Sequence, residues 1–122
     1  MDPLPAELFL CEDAAGTANV TKFGENLTMS MKEKMHTGAL YLPGDREILQ
    51  EQMQRLDRLY DFNMTRPSEL AKRQALLKEM FAEIGEDCYV EPPLYSNFGG
   101  GHVHFGRNIY ANFHLTLVDD TH

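Results

Sequence analysis

Three apolar residues spaced six apart constrain the fold of this chain more than any other feature. Val103, Ile109 and Leu115 recur in the run VHFGRN-IYANFH-LTLVDD. A six-residue period is typical of a parallel β-helix, whose hexads each supply one flat face and one corner of a triangular coil. The three hexads therefore predict about one coil of a left-handed parallel β-helix. An ordinary hairpin with chance spacing is the alternative that periodicity alone leaves open.

Helical patterns precede the hexads. Ser30 and Glu33 fit a capping box, in which each side chain satisfies a free backbone N–H at a helix start. They predict a short helix that ends near Gly38. Asp45 is a plausible N-cap for a second helix. Its apolar residues recur at spacings of three and four and predict one buried stripe, formed by Leu49, Met53, Leu56 and Tyr60.

A third helix is predicted after Pro67, which is suited to a first helical turn. Gly85 is its predicted end. The residues expected to share its apolar face are Leu70, Leu77, Met80 or Phe81, and Ile84.

These patterns predict an α+β fold. About three helices occupy residues 30–86, and the first coil of the left-handed parallel β-helix occupies residues 87–122. Residues 1–29 show no sustained period and are predicted to be an extension, either disordered or added to the natural sequence, without an assigned function. The length suits one domain. A single coil would leave Val103, Ile109 and Leu115 uncovered, because stacked repeats are generally needed to bury such an interior.

Charge and targeting signals narrow the partners. A net charge of −8 lacks the basic surface that phosphate binding requires, so neither nucleic acid nor an anionic membrane is an expected partner. The N-terminal apolar stretch, residues 8–11, is too short for a signal peptide or a membrane span. Cys11 and Cys88 share no metal-ligand spacing and are interpreted as reduced thiols. The predicted location is the cytoplasm.

The region of residues 97–104 and His114 suggests two kinds of site. The glycine-rich run from Asn97 to His102 lacks a following Lys-Ser/Thr, so we interpret it as a turn and not as a phosphate loop. His102, His104 and His114 raise a metal hypothesis, but no second cluster completes a ligand shell. Surface or packed histidines, and no metal, are the favoured interpretation.

Polar residues of the later hexads could surround a sugar. Tyr110 and Asn112 are two apart and so lie on one side of an extended segment. The carboxylates of Asp119 and Asp120 follow in the next hexad, where neighbouring residues should face opposite sides. Sugar hydroxyls require donors and acceptors in fixed directions. A solvated β-helix face is the alternative.

Longer motifs carry a resemblance to a known family. The segments EKMHTGALY, YDFNMTRPSELAKRQALLKEMFAEIGEDCYVEPPLY and VHFGRNIYANFHLTLVDD resemble the maltose and galactoside O-acetyltransferases of the hexapeptide-repeat superfamily. The resemblance implies a helical segment packed on a left-handed β-helix, a homotrimer with sites between subunits, acetyl-CoA as donor and a sugar hydroxyl as acceptor. It also implies that Asn97, Tyr110, Asn112 and Asp120 bind substrate.

The same resemblance places the general-base histidine in a later coil, beyond residue 122. No catalytic residue is therefore expected in these 122 residues, which would represent an acetyltransferase chain that stops before its catalytic segment. A catalytically inactive remnant that binds sugar or a partner chain is the second hypothesis. A small metal-binding domain built on the three histidines is the third.

Overall fold

The structure is a computed structural model that describes residues 29–122. The predictions for the N-terminal extension, apart from residue 29, and for Cys11 lie outside the described residues. The chain divides into two units, of which the first ends at Leu49 and the second spans Gln50–His122. No helix in the described part of the chain combines the length and apolar character needed to cross a membrane.

Helix α1, Met31–Met35, begins with the predicted capping box. The Ser30 hydroxyl accepts from the Glu33 amide at 3.1 Å, and the Glu33 carboxylate accepts from the Ser30 amide at 2.8 Å. The chain leaves this short helix through Gly38, whose φ of +78° suits glycine. Sequence reasoning thus predicted both the start and the exit of α1.

Helix α2, Arg46–Asn63, begins at the predicted cap, because Asp45 Oδ2 accepts from the Glu47 amide at 3.0 Å. Its predicted apolar stripe is wrong. Leu49, Met53 and Tyr60 are exposed, and only Leu56 of the four packs against the core.

Within the second unit, the inward face of α2 instead contains positions 52, 55, 59 and 62. Leu59 and Phe62 are buried there. Gln52 and Arg55 occupy the same face but are polar, since they contact a backbone turn instead of an apolar core. A search for apolar spacing alone therefore selected the wrong face.

Helix α3, Leu70–Met80, buries Leu77 and Met80 as predicted, but Leu70, which was predicted on the same face, is exposed. It ends before the predicted Gly85, because Phe81 already has an extended backbone with ψ at 145°. Ile84 consequently lies in a strand and not on the helix. The prediction for Ile84 is wrong for this reason.

Six short strands follow and form three parallel pairs. Strand β1, Glu83–Ile84, pairs with β4, His104–Phe105. Strand β2, Tyr89–Val90, pairs with β5, Tyr110–Ala111, and β3, Leu94–Ser96, pairs with β6, Leu115–Leu117. Residues 83–96 therefore form one layer and residues 104–117 a second, which is a partial β-helix. The hexad analysis identified only the second layer.

The apolar core of the second unit joins the helices to the first layer. Its members are buried residues of α2, α3 and the first strands, namely Leu59, Phe62, Leu77, Met80, Phe81, Val90 and Leu94. The apolar residues of the second layer, including Leu115 and Leu117, are only partly buried against this core. The first layer is thus the better covered of the two.

Candidate functional site

The glycine-rich run is a turn, as predicted, and the structure explains its glycines. Gly99 has a φ of +60°, and a side chain there would overlap the backbone carbonyl of Arg55. The Arg55 guanidinium lies directly against Gly101. Glu51 orients that guanidinium, because its Oε1 accepts from Arg55 Nη2 at 2.6 Å. Helix α2 and the turn therefore approach each other closely enough to exclude side chains.

Two predicted site residues meet beside this turn. Asn97 Nδ2 donates to Asp120 Oδ1 at 3.0 Å. Asn97 is exposed and Asp120 is half-buried, so the amide and the carboxylate are both reachable from solvent. Gln52 Nε2 from α2 donates to the Asn97 carbonyl at 2.9 Å and fixes the backbone of that residue. An amide and a carboxylate together offer the donor and the acceptor that a neutral polyol needs.

Asp119 faces the opposite side from Asp120, as the alternation of strand residues predicted. It is 4% exposed. Its Oδ1 accepts from the Phe98 amide at 2.7 Å and from the Ser96 hydroxyl. Sequence reasoning missed the role of Ser96. The signal was available only through the strand register, which sets Ser96 beside Leu117, two residues before Asp119.

Tyr110 and Asn112 occupy a different part of the surface. Tyr110 is 63% exposed and stacks on Tyr89 with a ring-centroid distance of 6.0 Å. Buried Arg73 donates from Nη1 to the Tyr89 hydroxyl at 2.9 Å and so fixes the Tyr89 ring of the stack. Asn112 is exposed, and its Oδ1 accepts from the Phe113 amide at 2.8 Å. Among residues 29–122, no hydrogen bond joins Tyr110 or Asn112 to Asn97 or Asp120.

Two of the three histidines of the metal hypothesis, His102 and His104, lie against the ring of His122, whereas His114 lies elsewhere. His102 is 5% exposed, and its Nδ1 lies 2.6 Å from the Asp119 carbonyl oxygen. His104 places Nδ1 3.1 Å from Glu83 Oε2 and Nε2 2.7 Å from His122 Nδ1. His114 instead stacks on Tyr95, with ring centroids 6.1 Å apart.

The neighbours of His122 change the pKa of its imidazole. Partial withdrawal from water, and then the neighbouring charges of His102, His104 and Arg55, lower the pKa of His122 below its ordinary value of 6.5. His122 therefore tends to stay neutral in the folded chain near neutral pH.

Comparisons with known proteins agree with the resemblance read from the sequence. Residues 34–85 match the maltose acetyltransferase hexapeptide capping motif. A galactoside O-acetyltransferase of Lactococcus lactis is 52% identical over 89 residues, which cover 73% of this chain and 43% of the relative. A galactoside O-acetyltransferase of Escherichia coli is 43% identical over 94 residues, which cover 77% of this chain and 46% of the relative.

Solved structures give the same result. A galactoside acetyltransferase in complex with coenzyme A matches with a TM-score of 0.70 and 43% identity, over 76% of this chain and 46% of that one. A hexapeptide-repeat acetyltransferase of Vibrio cholerae, complexed with acetyl coenzyme A, matches with a TM-score of 0.63 and 27% identity, over 76% of this chain and 49% of that one. The chain thus spans slightly less than half the length of the relatives it matches.

Proposed function

We propose that this chain, which belongs to the maltose and galactoside O-acetyltransferase family, is part of an enzyme. This enzyme transfers an acetyl group from acetyl-CoA to a sugar hydroxyl. The observation that carries the proposal is the Asn97–Asp120 pair, whose side chains meet at 3.0 Å on an accessible surface. The overall charge of −8 also favours a neutral acceptor over an anionic one.

The proposed reaction transfers an acetyl group directly from sulfur to oxygen. The sugar hydroxyl attacks the thioester carbonyl, the new C–O bond replaces the C–S bond, and coenzyme A leaves as the thiol after gaining a proton. The hydroxyl loses its proton to a general base. We place that base in sequence that continues beyond residue 122, as the family resemblance implies.

Within this scheme Asn97 and Asp120 orient the acceptor. Adjacent hydroxyls of a sugar ring can donate to the Asp120 carboxylate and accept from the Asn97 amide, in place of the contact these two groups make with each other. A hydrogen bond to a charged group is worth about 1.5–3 kcal/mol, so Asp120 should contribute most of the selectivity for a hydroxyl.

Tyr110 and Asn112 have a separate proposed role at the acyl-transfer centre. The Asn112 oxygen already accepts from the Phe113 amide, which leaves the side-chain N–H groups as the part suited to a developing negative charge. The aromatic surface of exposed Tyr110 and Phe113 supports a further proposal, that the complete protein is a homotrimer with sites between subunits. We also propose that the partial β-helix is left-handed.

Acetyl transfer to maltose and to galactosides tests the function. The 122-residue chain should react no faster than buffer, since general-base assistance alone is worth about 10²–10⁴-fold. An extended chain, continued beyond residue 122 with the part of the Lactococcus lactis relative that this chain does not match, should release coenzyme A in proportion to acetylated sugar.

The Asp120→Ala variant of the extended chain is the matched test, and Asp57→Ala, at an exposed position of α2, is its control. A well-folded extended chain that transfers no acetyl group to any sugar would exclude the proposed function. It would favour the inactive, sugar-binding remnant, which equilibrium binding of the same sugars would then reveal.

A further inference from the structure

The buried side chain of Asp119 holds the turn that carries Asn97. Its Oδ1 accepts from both the Ser96 hydroxyl and the Phe98 amide, the two residues that flank Asn97. The Ser96 hydroxyl oxygen in turn accepts from the Gly100 amide at 3.1 Å. One carboxylate therefore organises the turn on both sides of a proposed acceptor-binding residue.

The backbone of Asp119 adds a further anchor. Its carbonyl oxygen lies 2.6 Å from Nδ1 of buried His102, at the far end of the same turn. Across the turn, Gln52 contacts the Asn97 carbonyl. Asn97 is consequently fixed from α2 on one side and from Asp119 on the other, while its own side chain points to the surface.

Burial of this carboxylate is costly unless every oxygen has a partner. Asp119 Oδ2 is buried and has no hydrogen-bond partner among the described residues. An asparagine here would leave an amide NH₂ group unsatisfied at the same buried position and would offer only a neutral oxygen to the Ser96 hydroxyl and the Phe98 amide. A charged acceptor, however, binds the Ser96 hydroxyl and the Phe98 amide more tightly and at shorter distance than a neutral one.

Asp119 and Asp120 therefore contact the same turn from opposite faces. Asp119 reaches inward to Ser96 and Phe98, and Asp120 reaches outward to Asn97. We infer that Asp119 is a positioning residue, whose buried carboxylate sets Asn97 against Asp120 and thereby fixes the spacing of the acceptor-binding pair. This inference deepens the proposed function and rests on it only for its catalytic consequence.

The geometric part is tested on the 122-residue chain itself. The probe is the side-chain amide of Asn97 in a ¹H–¹⁵N correlation spectrum, with the Asn112 side-chain amide as internal reference. Asp119→Ala should shift the Asn97 amide signals toward those of Asp120→Ala, in which the hydrogen bond is deleted directly. Asp119→Asn keeps an oxygen acceptor for the Phe98 amide and should shift the Asn97 signals less. This variant also allows the test to be made if the Asp119→Ala chain fails to fold.

Leu77→Ala is the matched control, because Leu77 is 1% exposed and lies in α3, with no hydrogen bond to the turn. It should lower the Tm at least as much as Asp119→Asn while leaving the Asn97 signals in place. Asn97 signals that stay at their original positions in both Asp119 variants, or that move equally in Leu77→Ala, would overturn the positioning role.

The catalytic consequence is tested on the extended chain. Asp119→Asn should raise the KM for the sugar by about tenfold, because a small misplacement of a binding group is costly, with the KM for acetyl-CoA unchanged. An extended chain that is inactive refutes the proposed function but leaves the amide result to decide the inference. If the extended chain is active and Asp119→Asn does not change its KM for the sugar, the inference is refuted and the proposed function is not.

Discussion

The turn of residues 96–102 and the segment of residues 110–114 both carry predicted substrate-binding residues, yet they are built differently. In the turn, Ser96, Phe98 and His102 are buried. In the segment, Tyr110 is 63% and Phe113 is 61% exposed. The turn is fixed by side chains from α2 and by Asp119, whereas the segment is held mainly by the pairing of β2 with β5 and by the Tyr89–Tyr110 stack.

The difference shows which of the two regions is fixed by contacts within the described residues and which is not. The Asn97–Asp120 pair, which we propose orients the acceptor, is already formed within the second unit. The aromatic surface of the segment has no such cover in the described residues. If the two regions share one active site, the turn supplies a preformed half, and the segment supplies a half that additional structure must complete.

The strongest test of a fixed turn is Gly99→Ala. A side chain at this position meets the Arg55 carbonyl, and the φ of +60° disfavours alanine. Strain of about 1–2 kcal/mol and overpacking of about 1–3 kcal/mol should together lower the free energy of unfolding by roughly 2–5 kcal/mol. Urea denaturation of the 122-residue chain measures this change.

Gly106→Ala provides the control, because a side chain there meets nothing within 4 Å and the backbone has no positive φ. It should change the free energy of unfolding by less than about 0.5 kcal/mol. Equal costs for the two variants would show that the turn is no more constrained than the rest of the second layer.

Sequence reasoning reached the turn only in part. The glycine run predicted a turn, but its cause lies in Arg55, which no local pattern connects to residues 99–101. The predicted stripe of α2 failed for the same reason, since its inward positions include the polar Gln52 and Arg55. Periodicity measures apolar burial, so it is insensitive to a helix face that contacts backbone.

The strands show a similar limit. The hexads predicted the second layer because Val103, Ile109 and Leu115 repeat there, whereas the equally short strands of the first layer were not recognised from apolar spacing. The family resemblance predicts that Asn97 and Asp120 bind substrate, but it did not predict the hydrogen bond that joins their side chains. The buried partnership of Asp119 with Ser96 needed the strand register and so could not be found in advance.

The second test concerns the acceptor pair in the extended chain. Asp120→Ala should lower kcat/KM for the sugar by roughly one to two decades, because it removes a charged hydrogen-bond partner worth about 1.5–3 kcal/mol. The KM for acetyl-CoA should stay unchanged. Asn112→Ala, in the other region, should instead lower kcat at a nearly constant sugar KM.

If both variants change only the sugar KM, the turn and the segment of residues 110–114 form one sugar-binding surface and do not have separate roles. Asp119 cannot serve as the control for Asp120, because it is buried and hydrogen-bonded to the turn, and exposed Asp57 is used in its place.

The third test uses Tyr110→Ala, which should have little effect on folding. The stacked ring over Tyr89 is solvent-exposed, so its loss should cost about 0.5–1.5 kcal/mol at most. Tyr110→Phe keeps the stack and should be neutral in a thermal melt. A loss above about 3 kcal/mol for Tyr110→Ala would mean that the segment is as integral to the fold as the turn.

The smallest expected effect is the pH response of His122, beside the turn. Its pKa is lowered, so between that pKa and the ordinary value of 6.5 the unfolded chain binds more protons than the folded chain. Stability should therefore decline slightly as the pH falls below 6.5 toward the lowered pKa. The imidazole carbon-bound protons of His122, followed by NMR from pH about 5 to 8 where histidine titrates, report the pKa directly.

His104→Gln sharpens this last test. It removes one neighbouring charge, so the pKa of His122 should rise toward 6.5 without reaching it, because withdrawal from water is the larger cause and His102 remains. His114→Gln, at the ring stacked on Tyr95, should leave the titration unchanged. A pKa of 6.5 for His122 in the unaltered chain would instead mean that its ring lies in open solvent, away from His102 and His104.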